Sequence, residues 1–341
     1  MLEPNKLMNV ISWINYKKYS LVILTLLVPV IAIGQHTQWL TEIRDTSYTS
    51  FSDYRKTLKN YPFIKLVQPK QMANVKERFA LVYAKAGQRS LHVDAFLPAA
   101  LKKNNKTAAV LIVHGGGWRS GDRSQHIPLA QHLAAKGIAA FTIEYRLSTE
   151  ALYPAAVYDV KAAVRWLKAN GKKLNIDTAK IALLGFSAGG QLAALSAMSS
   201  TVAQLEGDIG IKGYSSAVNA VIDIDGTLSF THPEAWETQN SATVAASAKW
   251  LGYLRTEKLD LWTEASPLTY AESNKLPFLF LNSSVERMHA GRDDFKRMMD
   301  GKGIFTEVVS FKDSPHGFCL YEPWFEPTLN HIVSFLATVF I

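Results

Sequence analysis

Ser187 lies in the pentapeptide 185-GFSAG-189, with one glycine two residues before it and another two residues after it. The apolar run at 181–184 predicts a buried strand over 180–184, and the small residues at 188–198 predict a helix. A sharp turn from strand to helix strains the corner residue and crowds its neighbours, which favours glycine at those positions. The pattern therefore predicts that Ser187 presents its hydroxyl above a sheet edge as a nucleophile.

A glycine-rich loop, 114-HGGGW-118, directly follows another predicted strand. Glycines allow the backbone to approach a ligand closely, and their N–H groups can stabilise the oxyanion formed when a carbonyl is attacked. We expect the amides of Gly115, Gly116 and Ala188 to form such an oxyanion hole. Trp118 is predicted to form a wall of the same site.

His316 is the predicted general base. A serine hydroxyl needs a neighbouring base to act as a nucleophile at neutral pH, and imidazole titrates in the appropriate range. The segment 312-KDSPHGF-318 follows the last predicted strand, and its proline and glycine allow a turn back over the sheet.

The acid that would orient this base is open among three carboxylates. Glu286 is the first choice, because it lies in the loop after the predicted strand 277–283. Asp225, at the end of the preceding predicted strand, is the second candidate. Asp293 is the third, although its position also suits the first turn of a helix.

Strands and helices alternate along most of the chain. This order predicts an α/β fold with a mostly parallel central sheet and helices on both faces. We interpret residues 35–341 as a single domain with an N-terminal extension at 35–75 and a small lid-like insertion at 227–265. The sequence predicts a hairpin at 77–98, strands at 108–117, 138–146, 180–184, 217–226, 277–283 and 304–311, and helices at 125–136, 155–171, 188–198 and 327–340.

The N-terminus has the pattern of an export signal. Lys17 and Lys18 precede an apolar run at 20–35 that is shorter than the roughly 20 residues of a spanning helix. We expect a cleavable signal peptide over residues 1–34, cut near Gly34-Gln35, and a secreted or periplasmic protein. The alternative is that this segment is retained as a membrane anchor.

Composition excludes several other classes of protein. The chain has 341 residues and a formal charge of +8, but its basic residues are scattered and form no stripe suited to nucleic acid. Its one cysteine, Cys319, cannot form an intrachain disulfide. No metal-ligand cluster or phosphate-binding loop is apparent, so we expect no cofactor, no metal and, after signal cleavage, no stable membrane insertion.

The motifs HGGGW, GFSAGG and SPHGF, in this order, resemble the α/β-hydrolase superfamily over roughly residues 75–341. They are most similar to its acetyl-esterase and feruloyl-esterase-like group, near the hormone-sensitive-lipase type. The segments NSSVERMHAGRDD, SPLTY and PWFEP resemble exported Bacteroidetes-type esterases that accompany polysaccharide-degrading enzymes. This resemblance implies a serine esterase that removes acetyl groups from a plant or algal polysaccharide through a Ser-His-acid triad and an acyl-enzyme.

Two other functions remain open from the sequence. One is an amidase or formamidase of the same fold, which would use the same serine and histidine. The other is a catalytically silent glycan-binding module, in which the aromatic residues of the insertion would stack on sugars. The expected binding partner is a small ester or an acetylated glycan that serves as substrate. The sequence does not indicate the oligomeric state.

Overall fold

The computed structural model of the protein describes residues 34–100, 106–238 and 245–340. The predicted signal peptide, apart from Gly34, lies outside the described residues. Within the described ranges, no helix is both long enough and apolar enough to cross a membrane. The residues from Gln35 onward cluster into one compact unit.

The order of elements in the described residues follows the predicted alternation. The strands are β1 (Lys65–Leu66), β2 (Val75–Ala86), β3 (Arg89–Pro98), β4 (Thr107–Val113), β5 (Ala139–Ile143), β6 (Ile176–Phe186), β7 (Ala220–Ile224), β8 (Phe278–Asn282), β9 (Thr306–Ser310) and β10 (Tyr321–Glu322). The α-helices are α1 (Ser50–Thr57), α2 (Ile127–Ala135), α3 (Ala155–Leu174), α4 (Ala188–Met198), α5 (Ala246–Leu251), α6 (Leu259–Glu264), α7 (Arg292–Asp300) and α8 (Phe325–Val339). Short 3-10 turns occur at Thr37–Trp39, Arg123–His126, Ala203–Leu205, Pro233–Thr238, Pro267–Tyr270, Glu286–His289 and Phe318–Leu320.

The central sheet has eight strands in the order β2-β3-β5-β4-β6-β7-β8-β9. The pairs β2/β3 and β3/β5 are antiparallel, and every other neighbouring pair is parallel. The prediction of a mostly parallel sheet in an α/β fold is confirmed. The central parallel strands β4, β7 and β8 are almost entirely buried because helices cover both faces of the sheet, whereas the edge strand β9 is only half-buried.

Alternating side chains of each central strand enter two separate cores. On β4, Leu111 and Val113 belong to the core that contains residues of α3, α4 and α7. Val110 and Ile112 belong to the opposite core, which contains residues of α2 and α8. The strand alternation therefore fixes the sheet between two helical layers.

The carboxyl ends of β4, β6 and β7 meet at one edge of the sheet. Val113 is in register with Gly185, and Phe186 is in register with Ile224. Beyond the sheet edge, the amide of Ser187 continues the pairing by donating to the carbonyl of Ile224 at 2.8 Å. Residues that follow these strands are consequently brought together.

Two segments outside the alternating pattern cover this edge. In the N-terminal extension, α1 leads into β1, which pairs antiparallel with β10. In the insertion, Trp250 is fully buried and Trp262 is 6% exposed, and both rings pack near Phe230. These two indoles form a local aromatic core, so they are not available as an exposed platform for sugars.

Candidate active site

The turn at Ser187 has the strained backbone that its sequence predicts. Ser187 has φ 56° and ψ −122°, directly between β6 and α4. A Cβ added to Gly185 would collide with the backbone of Gly189, and one added to Gly189 would collide with the carbonyl of Val113. Both glycines are therefore required sterically, because any side chain would push the turn away from the sheet.

Ser187 and His316 lie in direct contact. The Oγ of Ser187 is 2.9 Å from Nε2 of His316, although the two residues are 129 positions apart in sequence. The Nδ1 of His316 is 2.9 Å from Oδ2 of Asp225. With Nδ1–H donating to the carboxylate, Nε2 is left to accept the proton of the serine hydroxyl.

Asp225 follows β7 with φ 53° and is fully buried. Its second oxygen, Oδ1, accepts from the amide of Ser283 at 2.8 Å and from the side chain of Asn282 at 3.4 Å. These donors come from the end of β8, the next strand in the sheet. They fix the carboxylate so that its other oxygen faces His316.

The predicted pairing of His316 with Glu286 is therefore wrong. The side chain of Glu286 is exposed at the start of a 3-10 turn, and the backbone before that turn, at Ser283, binds Asp225 instead. Asp293 is also exposed and is bonded to Arg292 at 2.8 Å, in the first turn of α7. The sequence signal for the carboxylate that contacts His316 was an aspartate directly after a buried strand, in 221-VIDIDG-226.

The prediction that Gly115 contributes to the oxyanion hole is also wrong. Its N–H donates to Oε1 of the buried Gln125 at 2.7 Å, so this donor is already occupied. Gly116 has φ 120°, and a Cβ there would collide with the carbonyl of Ser120. Gly116 and Ala188 remain the candidate donors, and Ala188 begins α4, where the helix dipole favours negative charge.

Gln125 was not identified from the sequence as part of the site. It belongs to the 3-10 turn Arg123–His126, ten residues after the glycine whose amide it accepts. Nothing in its local sequence distinguishes it from an ordinary polar helix residue, because the contact depends on how the chain folds back after β4.

His114 is a buried, neutral member of the oxyanion loop. Its Nδ1–H donates to the carbonyl of Gly115 at 2.8 Å, and its ring stacks on Tyr145 with centroids 4.4 Å apart. Burial lowers the pKa of His114 to about 4. The ring therefore orients the loop and does not serve as the base.

Trp118 anchors the loop and offers little surface to a substrate. It is only 9% exposed, and its indole stacks on Trp250 with centroids 5.0 Å apart. Its Nε1–H donates to Oε1 of Gln191 in α4 at 2.9 Å. The expected wall of the site is thus mainly a link between the oxyanion loop, the insertion and α4.

Asp223, two residues before Asp225, is a second buried carboxyl group. Burial raises its pKa well above the ordinary value, although the amide of Gly226 donates to it at 2.7 Å. The raised pKa favours the neutral acid, which limits the negative charge beside Asp225. Among the residues that the structure describes, no group of three His, Cys, Asp or Glu side chains could hold a metal ion.

The known proteins that this chain resembles are esterases. The esterase LipC of Mycobacterium tuberculosis is 29% identical over 248 residues, which are 69% of this chain and 59% of LipC. The ethyl acetate hydrolase of Pseudomonas putida is 28% identical over 224 residues, or 62% of this chain and 66% of that protein. The chain thus spans between half and two thirds of the length of these two curated relatives.

A truncated carbohydrate esterase from gut microbiota shares the fold. Its structure superposes with a TM-score of 0.69 at 24% identity, covering 80% of this chain and all of the other. The BD-FAE family model matches residues 93–288, which are more than half of the 341 residues. The resemblance to α/β-hydrolases is confirmed, and the chain belongs to the BD-FAE family of that fold.

Proposed function

We propose that the protein is a serine carboxylic ester hydrolase that acts through an acyl-enzyme. The observation that carries this proposal is the continuous hydrogen-bond chain from Ser187 through His316 to Asp225. A hydroxyl, a neutral imidazole and a fixed carboxylate in this order are the groups that nucleophilic acyl transfer requires.

In the first step, the Oγ of Ser187 attacks the ester carbonyl. Its proton moves to Nε2 of His316, and the carboxylate of Asp225 stabilises the resulting imidazolium. The carbonyl oxygen becomes an oxyanion, which the amides of Gly116 and Ala188 stabilise. One such donor contributes about 3–4 kcal/mol to the transition state in enzymes of this type.

In the second step, the tetrahedral intermediate collapses and its C–O bond to the alcohol breaks. Nε2–H of His316 protonates the departing alkoxide, and an acyl-serine ester remains. Water then attacks this ester, with His316 as base, and releases the carboxylic acid. The proton returns to the Oγ of Ser187, so that the enzyme is regenerated.

The substrate that we propose is an acetyl ester on a plant or algal polysaccharide, with pectin and xylan as the first choices. Support comes from the sequence resemblance to exported polysaccharide-associated esterases and from the relative named for ethyl acetate hydrolysis. The carbohydrate esterase with the same fold is a further reason to test sugars. Secretion or periplasmic location, by cleavage near Gly34-Gln35, belongs to the same proposal.

The first test measures hydrolysis of p-nitrophenyl acetate by the wild type and by Ser187→Ala. We expect the variant to lose activity by at least about three orders of magnitude, because the nucleophile is removed. A fluorophosphonate probe should label the wild type and not the variant. Equal activity in both proteins would exclude the mechanism, and an unlabelled wild type would instead favour a glycan-binding module.

A second test defines the substrate. Acetate release is measured from acetylated pectin, xylan and glucomannan, with matched ester and amide substrates alongside. Release from one of the polysaccharides, with esters cleaved far faster than amides, is the expected result. Faster cleavage of the amides would favour the amidase alternative, and turnover of small esters alone would exclude the polysaccharide.

A further inference from the structure

The segment at 45–53 of the N-terminal extension contacts both loops that carry the candidate catalytic groups. We propose that this segment, the brace, holds the oxyanion loop (residues 114–121) and the histidine loop (residues 312–320) in their catalytic arrangement. Asp45 and Asp53 are its positioning residues. The inference rests on the proposed ester hydrolysis, since it concerns the same site.

The contact with the oxyanion loop is centred on Ser120, which is 8% exposed. Its Oγ–H donates to Oδ1 of Asp45 at 3.1 Å, and its Oγ accepts from the amide of Tyr48 at 2.9 Å. The amide of Gly121 also donates to the carbonyl of Asp45 at 3.1 Å. Three hydrogen bonds thus fix one end of the loop to the brace.

Ser120 in turn determines the position of Gly116. The carbonyl of Gly116 accepts from the amides of Arg119 at 3.1 Å and Ser120 at 3.0 Å. A Cβ on Gly116 would collide with the carbonyl of Ser120 and would lie 3.2 Å from the ring of Tyr48. Gly116 is confined between Ser120 and the brace. A shift of either would therefore change the direction of the Gly116 N–H, which is a candidate donor to the oxyanion.

The contact with the histidine loop is centred on Asp53. Its carboxylate accepts a hydrogen bond from the hydroxyl of Tyr321, the residue directly after the histidine loop. It also lies against Gly317, next to His316, where an added Cβ would collide with Oδ2 of Asp53. Burial and the Asp53 carboxylate together raise the pKa of Tyr321, so its hydroxyl remains a donor.

The brace is itself held by an ion pair before it and by a hydrogen bond within it. Before it, Arg44 forms an ion pair at 3.0 Å with the fully buried Glu144, which also binds Arg89 and Arg123 at 2.9 Å. Within it, the Oγ1 of Thr49 caps α1 by accepting from the amide of Ser52 at 3.0 Å. This segment can therefore transmit a fixed position to both loops.

The test compares Ser120→Ala and Asp45→Ala with the wild type, using p-nitrophenyl acetate and a trifluoromethyl ketone inhibitor that forms an oxyanion on the serine. We expect kcat to fall about 10- to 100-fold with KM changed less than about twofold, because the interaction lost acts on the transition state. Affinity for the ketone should fall in parallel. Asp45→Asn, which keeps an acceptor for the Ser120 hydroxyl, should restore most of the rate.

Ser273→Ala is the matched control, because this exposed hydroxyl donates to the carbonyl of Tyr270 and lies outside both loops. It should leave kcat unchanged. A lower melting temperature in Ser120→Ala with unchanged kcat and ketone affinity would reduce the brace to a structural role and overturn the proposal. Fluorophosphonate labelling of the wild type distinguishes failure of the brace from failure of the proposed ester hydrolysis. If the wild type is labelled and the variants are as active as the wild type, only the brace is refuted. If the wild type is not labelled, both proposals are refuted.

Discussion

At the scale of single residues, Asp225 joins two neighbouring strand ends. One carboxylate oxygen faces His316, and the other accepts hydrogen bonds from the backbone amide of Ser283 and the side-chain amide of Asn282. The carboxylate therefore cannot rotate without losing hydrogen bonds to β8. This rigidity is what allows it to select one tautomer of the imidazole.

Replacing Asp225 by Asn should lower kcat by about four orders of magnitude with little change in KM. The amide can still accept from Ser283, so the fold is kept, but its NH₂ group facing Nδ1 favours the wrong tautomer of His316. Steady-state kinetics on p-nitrophenyl acetate measure the loss. The matched control is Glu286→Gln, which should stay within about twofold of the wild type, and a large loss there would reverse the assignment of the acid.

The sequence identified Ser187 and His316 for different reasons, and both reasons are local. The turn at Ser187 requires glycines on both sides because any side chain there would collide with the backbone. His316 lies in a turn-forming segment that follows the last predicted strand. The acid is not a local choice, because it depends on which of two adjacent loops reaches the imidazole. For that reason the sequence favoured Glu286 over Asp225, whereas the strand order places Asp225 next to the imidazole.

At the scale of elements, the oxyanion loop is supported from three directions. The 3-10 turn containing Gln125 holds the amide of Gly115, α4 holds the indole of Trp118 through Gln191, and the extension holds Ser120. The sequence predicted a strand before this loop and a helix after it, but β4 ends at Val113 and not at 117. The prediction for Gly115 failed because its amide was expected to face the substrate. In the structure this amide donates to the side chain of Gln125, in the 3-10 turn that follows the loop.

Gln125→Ala should destabilise the protein by about 1–3 kcal/mol, because it leaves the buried N–H of Gly115 without its acceptor. Displacement of the loop should also lower kcat. Urea unfolding and kinetics measure the two effects. Gln125→Glu keeps an acceptor oxygen and should recover part of the stability; if Gln125→Ala unfolds at the wild-type urea concentration, the hydrogen bond contributes nothing to the loop.

At the scale of the whole molecule, two buried histidines, one in the oxyanion loop and one in the 3-10 turn after it, should make the fold sensitive to acid. Burial lowers the pKa of His114 to about 4 and that of His126 to about 3. In the unfolded chain both would titrate near the ordinary value of about 6.5. Between these values the unfolded state binds more protons, so stability should fall as the pH drops from about 6.5 towards about 3.

We expect the melting temperature of the wild type to decrease steadily over that pH range and that of His126→Phe to decrease less. Phenylalanine suits the site because the ring of His126 is buried and packs edge-on against Phe186 at 5.8 Å. Calorimetry at pH 7, 5.5 and 4 compares the two proteins. Parallel curves would mean that His126 is protonated equally in the folded and unfolded states.

The position of Asp225, directly after β7, affects which parts of the site can change in sequence without loss of activity. The turn Glu286–His289 follows β8 and exposes Glu286 and Arg287, and neither of these side chains contacts His316. We therefore expect substitutions at these two exposed positions to leave ester cleavage intact. Residues after β8 can then vary while Asp225, after β7, is kept.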